Sequence, residues 1–207
     1  MSRIYCADIL SVDLSRKYDI SDYRQRKTDR CRLNGDKRRS LAAALLLDKA
    51  LMDHGFRERD MLYAENEHGK PYFTNAPRLN FSISHSGNCA AVIISGNPCG
   101  CDIELINTPK PEIAKRFFHP DEYAAVLNND SLFYRMWTLK ESYIKAIGKG
   151  FARPLNSFCI IPTECGFKTE STERGYNFYE YDIIPGYALS VCVKDKAEPT
   201  ATIIELK

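Results

Sequence analysis

Two long stretches of the chain run through the same order of elements, and this repetition constrains the fold more than any single motif. A helix is predicted from near Lys37 through RSLAAALLLDKALMDHG, with its Ala and Leu run buried and Gly55 as its stop. GKPYF then reads as a turn entering a short strand, and LNFSISHSGNCAAVIISG as two strands joined by a turn at Ser86, Gly87 and Asn88. Further on, PEIAKRFFHPDEYAAVL reads as two helical segments broken at Pro120, and SLFYRMWTLKESYIKAIGKG as a helix ended by Gly148 and Gly150. Strand-like pieces follow in FCIIP, NFYEYDII and YALSVCV. Each half thus offers a helix, a Gly-Lys turn and a set of strands, a pattern that points to internal duplication. No long Pro/Gly/Ser linker separates the halves, so two packed halves are expected.

The strand GCDIEL lies near the join and poses an electrostatic question. Side chains alternate along a strand, so Cys99, Cys101 and Ile103 share one face while Asp102 and Glu104 share the other. Two acids on one face are tolerated if that face meets bulk water, if one acid stays protonated, or if a cation sits between them.

A third acid arises on the Phe133 to Ile147 helix. Phe133, Met136, Trp137, Ile144 and Ile147 form an apolar stripe, and Lys140 falls inside it. A lysine there either snorkels outward or holds a fixed anionic partner, because an unpaired buried ammonium is costly. Glu141 and Lys145 lie one turn apart at the edge of the stripe, placed to reach into a cleft or to form an ordinary surface ion pair. Asp102, Glu104 and Glu141 together suit an oxygen-loving ion such as Mg²⁺ that also binds a substrate phosphate. His85, at a strand-to-turn junction, is placed to donate to an anion.

Composition narrows the partners. The 207 residues carry a formal charge of only +2, so the balance proposes neither a nucleic-acid binder nor a membrane-surface protein. Positive charge concentrates locally in RQRKTDRCRLNGDKRRS, residues Arg24 to Ser40, without the interleaved aromatics suited to base stacking. The N-terminal stretch has no signal-peptide core and no run of membrane-spanning length, and a cytoplasmic protein is expected. The eight cysteines show no CxxC pair and read as reduced thiols, with Cys99 and Cys101 as small buried hydrophobes. No P-loop or Rossmann glycine fingerprint is present.

Five motifs, in order, resemble those of the larger, surfactin-synthetase-activating type of phosphopantetheinyl transferase. They are GKP at Gly69 to Pro71, FSISHS at Phe81 to Ser86, GCDIE at Gly100 to Glu104, RFFHPDEY at Arg116 to Tyr123, and WTLKESYIKAIGKG at Trp137 to Gly150. The resemblance implies transfer of the 4′-phosphopantetheine arm of coenzyme A to a serine of an apo acyl or peptidyl carrier protein. Adenosine 3′,5′-bisphosphate is released, and the reaction needs Mg²⁺, with Mn²⁺ as an alternative. It implies an α+β pseudo-dimer, each half a helix packed on a small antiparallel sheet, here residues 1–105 and 106–207, with coenzyme A in the cleft between them. A monomer follows from that arrangement.

Carried over by motif, Asp102, Glu104 and Glu141 match the metal-binding acids, and Lys145 the lysine at the pyrophosphate. Ser84 and His85 match coenzyme A contacts, Lys70 the residue beside the adenine, and Lys27, Arg30 and Arg39 the basic residues at the 3′-phosphate. Glu141, directly or through a water on the metal, is the expected base for the serine hydroxyl, with Glu122 as a second acid. Lys149, Arg153 and Phe151 are expected near the docked carrier. The competing expectation is a catalytically silent coenzyme A or carrier binder of the same fold.

Overall fold

A computed structural model describes residues 2–206 apart from 128, 130 and 165, with every side chain among them but that of Phe151. The chain opens with strand β1 (Arg3–Asp8), followed by helices α1 (Asp22–Asp29) and α2 (Asn34–Met52). Short strands β2 (Tyr63–Glu65) and β3 (Pro71–Phe73) form a ribbon, and β4 (Asn80–Ser86), β5 (Cys89–Ser95) and β6 (Cys99–Leu105) follow. Helices α3 (Pro111–Phe117), α4 (Pro120–Leu127) and α5 (Ser131–Ile147) come next. Strands β7 (Cys159–Thr163), β8 (Gly166–Glu170), β9 (Asn177–Tyr181), β10 (Tyr187–Val193) and β11 (Thr200–Ile203) complete the chain.

These elements build an α+β fold in four layers. One sheet has the order β11-β1-β5-β4 and the other β6-β10-β9. Alternation assigns each strand's two faces to different cores. Tyr5 and Ala7 of β1, with Ala90, Val92 and Ile94 of β5, meet Leu46, Leu47 and Leu51 of α2. Their alternates Ile4, Cys6, Ala91 and Ile93 meet Cys99, Cys101, Ile103, Leu189, Val191 and Val193, which closes the two sheets on each other. On the far side, Leu139, Tyr143 and Ile144 of α5 pack on Phe178 and Cys192. The expected apolar face of GCDIEL is therefore the interface between the sheets, and its acidic face looks at α5.

Three features differ from the sequence expectation. The sheets do not divide at residue 105: β6 pairs with β10 in antiparallel register, Asp102 opposite Ser190, whereas β11 returns to pair with β1. The β1–β11 pair is parallel, because β10 and β11 lie in different sheets and the link between them crosses over instead of turning back. Helix α2 starts at Asn34, a turn earlier than expected, with Asp36 in its first turn to complement the helix dipole.

Strands β4 and β6 are edge strands of different sheets and lie side by side without a backbone ladder. Alternate serines of SISHS bridge them. Ser82 Oγ accepts from the Cys101 N–H at 3.3 Å, Ser84 Oγ donates to Asp102 Oδ1 at 2.7 Å, and Ser86 Oγ donates to Glu104 Oε2 at 2.6 Å.

Candidate active site

Helix α5 lies unusually close to β6 because position 100 has no side chain. A Cβ on Gly100 would fall 2.0 Å from Ser142 O, 2.5 Å from Ala146 N and 2.9 Å from Lys145 Cβ. That contact carries Lys145 to Asp102, where Nζ donates to Oδ1 at 2.7 Å. Asp102 is 3% exposed, so its face does not meet bulk water. Its other oxygen, Oδ2, is buried with no hydrogen-bond partner among the described residues. A buried carboxylate oxygen left unpaired is costly, and a cation beside it would remove that cost.

Asp102, Glu104, Glu141 and Lys145 line one small pocket of about 320 Å³ with Ile83, Ser84, His85 and Trp137. Burial first, then the neighbouring Asp102, pushes the Glu141 carboxyl above its usual 4.5, with Lys145 pulling the other way. Burial likewise raises Glu104, although the Ser86 hydroxyl counters it. Burial opposes charge on Lys145, yet Asp102 and other nearby acidic groups outweigh it and hold the ammonium above 10.5. Glu141 makes no hydrogen bond or ion pair among the described residues. The three acids share the pocket without converging on a single point. Among the described residues, His119, Asp121 and Cys159 are the one trio of ligand atoms within 4.8 Å of one another. The three acids nonetheless offer hard carboxylate oxygens, the donors that Mg²⁺ prefers.

The pocket opens into a cleft of about 1340 Å³, which shares Ile83, His85, Glu141 and Lys145 with it. The cleft is strongly basic. Lys27, Arg30 and Lys70 line it, together with Arg24, Arg32, Arg116 and Arg153. Arg24, Lys27 and Cys31 recur at helical spacing through α1 and its C-terminal end, which presents one side of that segment to the cleft. Arg24 is almost fully buried, donating to Ser40 O at 3.2 Å while its Nε has no partner among the described residues. His85 stands at the junction of pocket and cleft; desolvation by the walls, then Lys145, Arg39 and Arg24, pushes its pKa below 6.5.

Several expected site residues are committed elsewhere. Arg39 pairs with Asp36, a residue of the cleft wall, at 2.5 Å and reaches Gly87 O at 3.4 Å. Ser84 is turned to Asp102. Lys70, whose ammonium burial pushes below 10.5, donates to Cys99 O at 3.0 Å and Ala146 O at 3.4 Å, so it caps the C-terminal end of α5. Asn66 adds a bond from Nδ2 to Gly148 O at 2.8 Å, where Gly148, at φ +67°, ends the helix. Glu122 lines neither cavity. It is fully buried against Lys140 at 2.6 Å and accepts from the backbone N–H groups of His119 and Ile160. Lys140 also donates to Phe158 O at 2.7 Å, so the lysine in the apolar stripe has its fixed partner, and that partner is Glu122. The expected role of Glu122 as a second catalytic acid gives way to a structural one, because its carboxylate is fully bonded away from the cleft. Of the expected carrier-side residues, Lys149 pairs with Glu173 at 2.9 Å, Arg153 lines the cleft, and the Phe151 side chain lies outside the described residues.

Residues 98–192 match the family model described as the 4'-phosphopantetheinyl transferase superfamily, a span holding Asp102, Glu104, Glu141 and Lys145. A 4'-phosphopantetheinyl transferase of Aneurinibacillus migulanus is 38% identical over 165 residues, covering 76% of this chain and 69% of the relative. The 4'-phosphopantetheinyl transferase Sfp of Bacillus subtilis is 32% identical over 201 residues, covering 91% and 89%. These matches support a transfer-type enzymatic role. The chain belongs to the 4'-phosphopantetheinyl transferase superfamily. Among the described residues no helix is long and apolar enough to cross a membrane.

Proposed function

We propose that the protein transfers the 4′-phosphopantetheine group of coenzyme A to a serine hydroxyl of an apo carrier protein. The observation that carries the reading is a buried, half-unpaired Asp102 carboxylate, flanked by Glu104, Glu141 and Lys145, at the mouth of a basic cleft. A coenzyme with a pyrophosphate and a 3′-phosphate is the polyanion that such a cleft fits. We read the α2 and α5 helix-on-sheet units as related halves, and a cleft completed within one chain as compatible with a monomer.

Asp102, Glu104 and Glu141 would hold Mg²⁺, or Mn²⁺ in its place. When bound, the ion would neutralise charge on the pyrophosphate and stabilise the departing phosphate. Lys27, Arg30, Arg24 and Arg32 hold the adenosine bisphosphate end as fixed cations. Lys145, tied to Asp102, presents its remaining protons to the pyrophosphate oxygens. The serine oxygen attacks the phosphorus bearing the pantetheine arm, and the bond from that phosphorus to the bridging oxygen breaks. Adenosine 3′,5′-bisphosphate leaves with the bridging oxygen. Glu141, directly or through a water, takes the hydroxyl proton. Positioning and charge supply most of the acceleration.

The test is incubation with Mg²⁺, coenzyme A and an apo acyl carrier protein, followed by intact-mass spectrometry of the carrier. A gain of one phosphopantetheine that a chelator abolishes is the expected result. Absence of any gain on fatty-acid, polyketide and peptide-synthetase carriers, with coenzyme A still bound, would overturn catalysis and leave a binder.

A further inference from the structure

We infer that Ser86 is a positioning residue that sets the Glu104 carboxylate for cation binding, as the outermost of the serine rungs that tie β4 to β6. This inference rests on the metal-binding role proposed for the carboxylates. A serine hydroxyl has one proton to give and lone pairs to receive. Ser86 uses both: it donates to Glu104 Oε2 at 2.6 Å and accepts from the Leu105 backbone N–H at 3.2 Å. The backbone donor fixes the hydroxyl, and the hydroxyl in turn fixes one carboxylate oxygen. Glu104 Oε1 is left without a hydrogen bond among the described residues.

The neighbouring rung repeats the arrangement. Ser84 holds Asp102 Oδ1 at 2.7 Å and leaves Oδ2 unpaired and buried. Both acids are therefore gripped by one oxygen and offer the other. The third rung differs, since Ser82 receives the Cys101 N–H and touches no carboxylate. Strand alternation accounts for the pairing: residues 82, 84 and 86 share the face of β4 turned to β6, each two residues from the next. Partners that orient metal-binding groups affect affinity although they never touch the ion.

The three rungs supply their own controls. Mn²⁺ uptake by the coenzyme A-loaded protein, read from the loss of the free-ion electron paramagnetic resonance signal, reports binding without turnover. Ser86→Ala is expected to weaken Mn²⁺ binding about tenfold, Ser86→Thr to recover most of it by restoring the hydroxyl, and Ser82→Ala to leave it at the wild-type level. Both alanine variants lose one strand-to-strand rung, so melting temperatures measured alongside separate loose strands from a misplaced carboxylate. Wild-type Mn²⁺ affinity in Ser86→Ala, or equal weakening in Ser82→Ala, would overturn the positioning role. A wild-type protein that takes up no Mn²⁺ would instead overturn the carboxylate site itself, and the role of Ser86 with it.

Discussion

Gly100→Ala tests whether the β6–α5 contact builds the site. The added Cβ would sit 2.0 Å from Ser142 O and 2.5 Å from Ala146 N, both backbone atoms that cannot rotate aside. To regain an ordinary separation of about 3.5 Å from Ser142 O, the helix must back away by about 1.5 Å. Overpacking of this kind costs about 3 kcal/mol. For a domain of this size that lowers the melting temperature by about 6–12 °C. The same retreat carries Glu141 and Lys145 away from Asp102, and a misplacement of about 1 Å in a catalytic group costs about 100-fold in rate. Gly96→Ala is the control, since nothing lies within 4 Å of its added Cβ. The assays are thermal melting and the rate of carrier modification at saturating coenzyme A. A Gly100→Ala protein that melts and turns over like Gly96→Ala would refute the claim that this glycine lets α5 carry the site.

Three further outcomes are expected. Glu122→Gln strands the Lys140 ammonium in a fully buried setting and should cost about 3–5 kcal/mol in denaturant unfolding, while the folded fraction keeps its turnover; a specific loss of turnover without loss of stability would return Glu122 to catalysis. Lys70→Met should lower the melting temperature, because Cys99 O and Ala146 O lose their donor; a raised KM for coenzyme A with unchanged melting would show instead that Lys70 serves the ligand. The raised Glu104 and Glu141 carboxyls set a pH dependence. In the metal-free protein each binds its proton more tightly folded than unfolded, so their contribution is complete below 4.5 and is lost as pH rises through the raised values. Mg²⁺ competes with those protons, so the rise in melting temperature on adding Mg²⁺ should grow from about pH 5 to about pH 8. A metal-induced rise that is flat across that range would count against these two acids as ligands. The difference with and without metal is the proper readout, because Asp53 and Glu65, lowered by the Tyr5 and Tyr23 hydroxyls and then by Arg3 and Lys27, contribute stability that grows as pH rises and acts equally in both series.

Alternation made the acidic and apolar faces of GCDIEL legible in the sequence, and a lysine inside an apolar stripe posed a choice between snorkelling and a fixed anionic partner. Both are local signals, carried by a period of two or 3.6 residues. What stayed hidden depends on contacts between distant segments. Nothing within GCDIEL says that α5 will cross at Gly100, so the glycine looks like any strand residue until the helix is in place. Glu122 carried a motif-based expectation of chemistry, yet Lys140, 18 residues away, claims it, and only the packing of α4 on α5 brings the two together. The basic stretch shows the middle case. Its charges were plain, and Arg24, Lys27 and Cys31 already stood at helical spacing, but Arg39 belongs to the next helix, where Asp36 one turn earlier takes its guanidinium. A cluster of cations in sequence therefore says little about which members will line a common wall. The start of α1 is held by the Ser21 cap, whose hydroxyl accepts from the Arg24 N–H while the buried Glu58 holds Ser21, an anchor 37 residues along the chain.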